Sequence, residues 1–354
     1  MGWLVSFTPP VQISPSVCTQ RLHRKTRFIT DVQKRIIAVL VGHPNDPGWK
    51  IVAKDAAALM EEVRKLGLES DVFDEKYITH RRGDFVAIPV GVSYGGGGTV
   101  GLSFHFVKYT HQLLAHFKKP GNLVHTKARR RLIQKLLGSP SIQRIVGFQS
   151  SKLYLHRCCS SCLTASQGAF AAFAPKLYQY ISEILAKLFN HQTGLVHNFN
   201  NSIFPAVSFN CGPTTVSLKH VDSGNLSHNF CPLTALGNFD HTKGGHAILF
   251  NLKLFIQFPS GSTILIPSAC VGHGNTPVQE GERRLSIAQY ASGGLFRWVA
   301  YGFKSAKTLL KTQAGRSLKA EIDQAEGARW AEGLAMFSTV DGLKEDLKSV
   351  FCCS

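Results

Sequence analysis

Residues 246–266 read H-A-I-L-F-N-L-K-L-F-I-Q-F-P-S-G-S-T-I-L-I. Three short runs, His246–Phe250, Lys253–Phe258 and Thr263–Ile266, are divided by Asn251 and by the turn residues Pro259, Ser260 and Gly261. Leu252, Leu254, Ile256 and Phe258 alternate with Lys253, Phe255 and Gln257, the two-residue period of a strand with one buried face. Further runs of the same kind extend outward from Phe204: Ala206–Asn210, Thr215–Lys219, Phe230–Leu236, Leu285–Tyr290 and Phe296–Tyr301. Gly, Pro, Asn and Asp separate them. A succession of short strands with turn signals predicts a sandwich or jelly roll.

The flanks read differently. Residues 1–30 mix Pro, Ser, Thr and basic residues without periodicity and read as a loose basic tail. Arg35–Val41 is a short apolar run ended by G-H-P-N-D-P-G, hence a buried strand and a turn. Trp49–Leu66 carries apolar residues at helical spacing and meets Gly67, a helix stop signal. Phe85–Tyr94 reads as a strand running into Gly95–Gly98. Those glycines lack the Lys-Ser or Lys-Thr of a phosphate loop and the helix and acidic residue of a dinucleotide site, so they read as a tight turn. Lys127–Leu137 is a basic helix with Arg129, Arg130, Arg131 and Lys135, a solvated face in the simplest reading and a nucleic-acid contact in the other. Phe170–Phe189 reads as one helix, and Ala314–Leu347 as helix with Leu318, Ile322, Ala325 and Trp330 on one side.

The chain has 354 residues, 44% hydrophobic and 18% charged, enough to bury a large core. Its formal net charge is +18, which favours a polyanionic partner, most often nucleic acid. No apolar run is long enough to span a bilayer, so no membrane partner is expected. Met1–Phe7 lacks the length and charge of a secretory leader, so an intracellular protein is expected. Nine cysteines fit that compartment if they stay reduced. Cys158, Cys159 and Cys162 form C-C-x-x-C, but a structural zinc site needs a second pair, and the chain has none.

The motif that carries chemistry is K-H-V-D, in which His220 and Asp222 form the one H-x-D of the chain. Two histidines and one carboxylate on one face of Fe(II) leave positions open for a chelating cosubstrate and O₂. The third ligand must come from a distant strand that returns beside the first, and His273, just past Thr263–Ile266, meets that need. His228, His241 and His246 compete, but they lie in or beside the turn Asp240–Gly245 and read as satisfied surface histidines. A 2-oxo acid also needs a cation for its far carboxylate, and Arg supplies a bidentate fork. Arg284 follows His273 by eleven positions, and Ser286 lies two further on, on the same strand face.

The segment Val207–Gly302 resembles the Tet-like 2-oxoglutarate/Fe(II) oxygenases of the fungal expansion, relatives of the TET/JBP group that oxidises methylated bases in DNA. The resemblance rests on S-F-N-C-G-P, K-H-V-D-S-G-N, C-P-L-T-A-L-G-N-F-D-H-T-K-G-G-H, F-P-S-G-S-T-I-L-I-P-S-A, H-G-N-T-P-V-Q-E-G-E-R-R-L-S and A-S-G-G-L-F-R-W-V-A-Y-G-F. R-R-G-D-F-V-A-I-P-V-G-V-S-Y-G-G-G, R-I-V-G-F-Q-S-S and R-W-A-E-G-L-A-M-F-S-T match outside that core. It implies an α+β fold: a double-stranded β-helix (jelly-roll) core over 204–303, flanking N- and C-terminal helices, and a single domain over 31–350. It implies His220, Asp222 and His273 as iron ligands, and Arg284 and Ser286 as contacts of 2-oxoglutarate. Asn210, on the strand before the first ligand, is expected to line the cosubstrate pocket. The activity implied is a dioxygenase acting on DNA, on 5-methylcytosine or N6-methyladenine, in the nucleus if DNA is the substrate. Two other readings stay open: the same chemistry on RNA, protein or a small molecule, and an inactive nucleic-acid-binding relic of the fold.

Two segments depart from the family pattern, 98–118 and 152–168. Ser151-Lys152-Leu153 can be encoded AGTAAGTT, which holds a splice-donor sequence. Leu163-Thr164 can supply a branch site, and Gln167 an acceptor. Retained introns are therefore expected, with genuine surface insertions as the alternative.

Overall fold

The structure is a computed structural model. It describes residues 26–73, 78–80, 82–94, 119–123, 125–150, 168–324 and 326–351, and the backbone at 5–6 and 12–15. Both departing segments, apart from Gly168, lie outside the described residues, as do Gly95–Gly98 and the C-C-x-x-C cysteines. So does most of the tail 1–30.

In chain order the strands are β1 (Val5–Ser6), β2 (Gln12–Pro15), β3 (Arg27–Thr30), β4 (Ile36–Gly42), β5 (Thr79–His80), β6 (Gly83–Asp84), β7 (Val86–Ser93) and β8 (Gly121–Asn122). There follow β9 (Ala206–Cys211), β10 (Cys231–Asn238), β11 (Ala247–Leu249), β12 (Leu254–Ile256), β13 (Thr263–Ile266), β14 (His273–Asn275) and β15 (Arg283–Tyr290). A nine-stranded antiparallel sheet runs β2-β3-β4-β13-β10-β15-β9-β7-β8, and a four-stranded sheet runs β1-β12-β11-β14. Between β9 and β15 the chain crosses repeatedly from one sheet to the other. β9, β10, β13 and β15 adjoin in the large sheet, and β11, β12 and β14 in the small one.

Period-two alternation decides what each face of the large sheet meets. On β9, Val207, Phe209 and Cys211 point to one face; on β15, Leu285 and Ile287 join them. Against that face pack α1 (Trp49–Glu69), α2 (Lys127–Gly138) and α3 (Pro140–Ser150) through Val52, Ala56, Met60, Val63, Ile133, Leu136 and Ile145. Full burial of a side chain such as Phe209 contributes about 2 kcal/mol. On β4 and β13, Ala38, Leu40, Ile264 and Ile266 face the small sheet, meeting Leu249, Leu254 and Ile256. A third core joins α4 (Ala169–Phe173), α5 (Pro175–His191), α6 (Gly293–Ala300) and α10 (Leu343–Phe351) to Phe28, Val39 and Leu265. Three further helices, α7 (Ala306–Leu309), α8 (Gln313–Gln324) and α9 (Glu326–Ala335), lie between α6 and α10 in the chain.

Several expectations are corrected. Arg27–Thr30 is not tail but sheet: Phe28 and Ile29 are fully buried against β4. Phe296–Tyr301 is the end of a helix, because Leu295, Trp298 and Val299 pack at i, i+3 and i+4 while Ser292 starts α6. Thr215–Lys219 forms no strand; it carries only an isolated bridge beside it, Thr214 to Arg284. The helix read over Phe170–Phe189 breaks at Ala174, where Pro175 opens a second one. Gly67 does not stop α1. The helix runs on to Glu69, and the missing side chain makes room for the Phe73 ring, which a Cβ would meet at 2.0 Å. Leu318 and Trp330 are exposed rather than a packed stripe. Arg129 is buried, donating from Nη2 to the Val72 carbonyl, so it does not belong to the solvated basic face.

Candidate metal centre

The same alternation that sends Leu285 and Ile287 to the helices turns Arg284, Ser286 and Ala288 to the other side of β15. On β9 it turns Asn210 that way, and on β10 Cys231 and Leu233. These side chains floor a cleft of about 60 Å³ whose rim holds His220, Asp222, His273 and Arg82. A larger groove of about 1110 Å³ runs along α1, between Trp49, Lys54 and the turn Pro259–Ser262. Among the described residues it gathers no cluster of metal-ligating side chains, whereas the smaller cleft does.

His220 and His273 face each other across an isolated antiparallel bridge. His220 N donates to His273 O at 3.0 Å, and His273 N to His220 O at 2.9 Å. So close a pairing needs Gly274, where a Cβ would sit 2.6 Å from the Ser217 carbonyl oxygen. Each imidazole is oriented by the carbonyl two residues before it: His220 Nδ1 lies 2.7 Å from Leu218 O, and His273 Nδ1 lies 2.9 Å from Val271 O. A carbonyl can only accept, so both Nδ1 atoms carry the proton and both Nε2 lone pairs are left for a metal. The two Nε2 atoms lie 3.9 Å and 3.8 Å from the two carboxylate oxygens of Asp222. Ligand atoms of all three residues lie within 4.8 Å of one another, so the group could hold a metal ion. Burial, and then the neighbouring His273, push His220 down to about 4, which keeps its ring neutral and able to ligate near neutrality.

Asp222 is placed by backbone. Its N–H donates to Ser268 O at 2.8 Å, and its own carbonyl accepts from Asn225 N at 2.8 Å. Behind it, Asn225 Nδ2 donates to Ser268 Oγ at 3.3 Å, and Ser268 Oγ to Cys231 Sγ at 2.9 Å. Burial pushes the Cys231 thiol up to about 12, so it stays protonated beside the cluster.

Arg284 is 3% exposed, and its Nη1 donates to Thr215 O at 3.2 Å and Thr215 Oγ1 at 3.0 Å. Its Nε is buried without a partner, and no carboxylate among the described residues pairs with it. Burial pushes it down to about 10, still charged at any working pH. A buried guanidinium without a counter-ion is costly, and a bound carboxylate removes that cost. Ser286 and Asn210 are register partners on β15 and β9, and Asn210 Nδ2 donates to Ser286 Oγ at 3.0 Å.

All six residues singled out in the sequence thus meet in one cleft. The three competing histidines do not join the cluster. His246 is not a surface residue, however: it is 6% exposed, with Nδ1 3.1 Å from Thr276 Oγ1. His228 is half-buried against Tyr180. Sequence reasoning missed Arg82, Thr215, Asn225, Cys231, Ser268 and Asn275. The signal for Asn275 was present, since it stands two residues after His273 on the same strand face; for Arg82, far upstream, there was none.

A two-histidine, one-carboxylate cluster over a buried, unpaired arginine is what the fold and the site define. No family model and no curated protein matches the chain. Among solved structures it is similar to NgTET1 in complex with 5mC DNA, at 14% identity over 75% of this chain and 76% of that one, with a TM-score of 0.42. It is also similar to the viral collagen prolyl hydroxylase of Paramecium Bursaria Chlorella virus-1 in its 2OG complex, at 18% identity over 31% and 70%, with a TM-score of 0.21. An oxidoreductase of the 2OG-Fe(II) oxygenase family from Burkholderia pseudomallei gives 14% identity over 71% and 94%, with a TM-score of 0.28. Likenesses at these levels carry no weight for the activity of this chain, which rests on its own residues.

Proposed function

We propose that this chain is an Fe(II)/2-oxoglutarate-dependent dioxygenase built on a double-stranded β-helix. In this reading β9, β15, β10 and β13 form one wall. The segment before His220, β14, β11 and β12 form the other. The observation that carries the reading is the unpaired Arg284 guanidinium in the same cleft as three convergent metal-ligand side chains. His220, Asp222 and His273 would hold Fe(II), and Arg284 with Ser286 would hold the distal carboxylate of 2-oxoglutarate. When bound, the iron and 2-oxoglutarate supply activation of O₂ and oxidation of a C–H bond. The chain contributes two imidazoles whose Nδ1 atoms are held by backbone carbonyls, a buried cation that would orient the cosubstrate, and the apolar side chains Leu233, Ile266 and Ala288 in the cleft lining.

The substrate we propose is a methylated base in DNA, 5-methylcytosine or N6-methyladenine. The net charge of +18 suits a phosphate backbone, and a base in a duplex must be flipped out to reach a recessed cleft. Action on DNA would make the protein nuclear. No helix among the described residues is long and apolar enough to cross a membrane. The test is purified protein with Fe(II), 2-oxoglutarate and methylated or unmodified duplexes, with products identified by mass spectrometry. Oxidised base from the methylated duplex alone supports the reading; succinate with no change to either duplex moves the substrate elsewhere.

A further inference from the structure

We infer that Asn275 and Thr215 are positioning residues that aim Arg284, and so set the affinity for 2-oxoglutarate without setting that for the metal. The inference rests on the functional reading above. Among the described residues the Arg284 guanidinium hydrogen-bonds to Thr215, whose carbonyl and hydroxyl oxygens both accept from Nη1, and it lies 5.9 Å from the centre of the Phe258 ring. Thr215 is 1% exposed and belongs to no strand; one backbone bond, from its N–H to Arg284 O at 2.9 Å, ties it to β15.

The Asn275 side chain holds it from the other side, at the carbonyl that faces the guanidinium. Its Oδ1 accepts from Ser217 N at 2.9 Å. Its Nδ2 donates to Thr215 O at 3.0 Å and to Thr276 O at 2.8 Å. Both amide protons are therefore committed. Its backbone N–H adds a bond to Ser217 O at 3.0 Å. One carboxamide thus ties the irregular chain at Thr215 and Ser217 to β14. The guanidinium of Arg284 and the carboxamide of Asn275 converge on a single acceptor, the Thr215 carbonyl oxygen.

The metal ligands are held in a different way. His220 and His273 are locked by their own reciprocal backbone bonds, and Asp222 by Ser268 O. None of those bonds involves the Asn275 side chain. Loss of the carboxamide therefore loosens the Thr215 carbonyl that seats Arg284, while the backbone bonds of Thr215 to Arg284 and of Asn275 to Ser217 remain, and leaves the ligand pairing in place. Because Arg284 is buried, a small error in its aim acts directly on the carboxylate it must meet.

The experiment uses the full chain loaded with Mn(II), a redox-quiet probe for the metal site. Calorimetry reads Mn(II) affinity, and then 2-oxoglutarate affinity with Mn(II) bound, for wild type, Asn275→Ala and Thr215→Val. Thr215→Val keeps the side-chain volume and the carbonyl, and so guards against a folding defect. Both variants are expected to bind 2-oxoglutarate about tenfold more weakly, the effect of one hydrogen bond to a charged group. Mn(II) affinity is expected to stay within about threefold of wild type, since no bond to a ligand is lost. Unchanged 2-oxoglutarate affinity in both variants would overturn the inference. So would an equal loss of metal and 2-oxoglutarate with a lowered unfolding temperature, which is the mark of a merely structural role. Wild type that binds Mn(II) but no 2-oxoglutarate would overturn the functional reading, and this inference with it.

Discussion

The two ends of the cleft are built on opposite principles. The end that gathers the candidate metal ligands stands on irregular chain and a three-residue strand, β14, and their side chains are 6% (His220), 27% (Asp222) and 12% (His273) exposed. The anion end stands in the middle of the large sheet, on β15 between β10 and β9, with Arg284, Ser286 and Asn210 at 3–5% exposure. In the proposed reading a rim of short elements leaves Asp222 and His273 reachable by O₂ and a large substrate. A continuous sheet can bury a charge, which then waits for one ligand. Function in this reading comes from coupling a reachable end to a sealed one.

Breaking the reachable end gives the largest effect. Asp222→Ala or His220→Ala is expected to abolish metal binding and succinate formation, while thermal unfolding changes little because neither side chain belongs to an apolar core. Calorimetry with Mn(II), a succinate assay and a melting curve check the three parts. At the sealed end, Arg284→Met is expected to weaken 2-oxoglutarate by about a hundredfold, the loss of a charge-assisted pair. Its unfolding midpoint should be equal to wild type or higher, since an uncompensated buried charge is gone. A destabilised Arg284→Met would show that Thr215 alone satisfies the guanidinium. Ser286→Ala should cost about five- to tenfold in 2-oxoglutarate affinity, one hydrogen bond, with metal affinity unchanged.

The smallest effect concerns acid. Burial pushes His80 and His125 down to about 4, from an ordinary value of about 6.5. The fold holds them neutral, so their contribution is complete above about 6.5 and is lost as pH falls toward 4. Denaturant unfolding of the metal-free protein should show stability falling across that window. His80→Gln should flatten the fall.

How much of this was legible in the sequence follows the same division. On β15, R-L-S-I-A-Q carries its own two-residue period, so Arg284 and Ser286 could be read as neighbours on one face. That His220, Asp222 and His273 are candidates for one ligand set was legible because their residue types and order are uncommon together, and the fold brings them together. The local geometry was not. Thr215–Lys219 reads as a strand, yet Asn275 and Gly274 hold it as irregular chain through side-chain and close backbone contacts that no periodicity records. Phe296–Tyr301 was misread because a short apolar run fits either period, and only burial of Leu295 and Trp298 on one helix face decides it. Arg82 reaches the rim from 138 residues before His220, a closure that depends on sheet order rather than on spacing.

The measurement that tests the central claim most directly is succinate formation from 2-oxoglutarate by the purified chain, with and without Fe(II), in wild type and His220→Ala. The account predicts succinate from wild type only when Fe(II), O₂ and a methylated duplex are present, and none from the variant. Wild type that forms no succinate under those conditions, or a His220→Ala variant that forms as much as wild type, would contradict it.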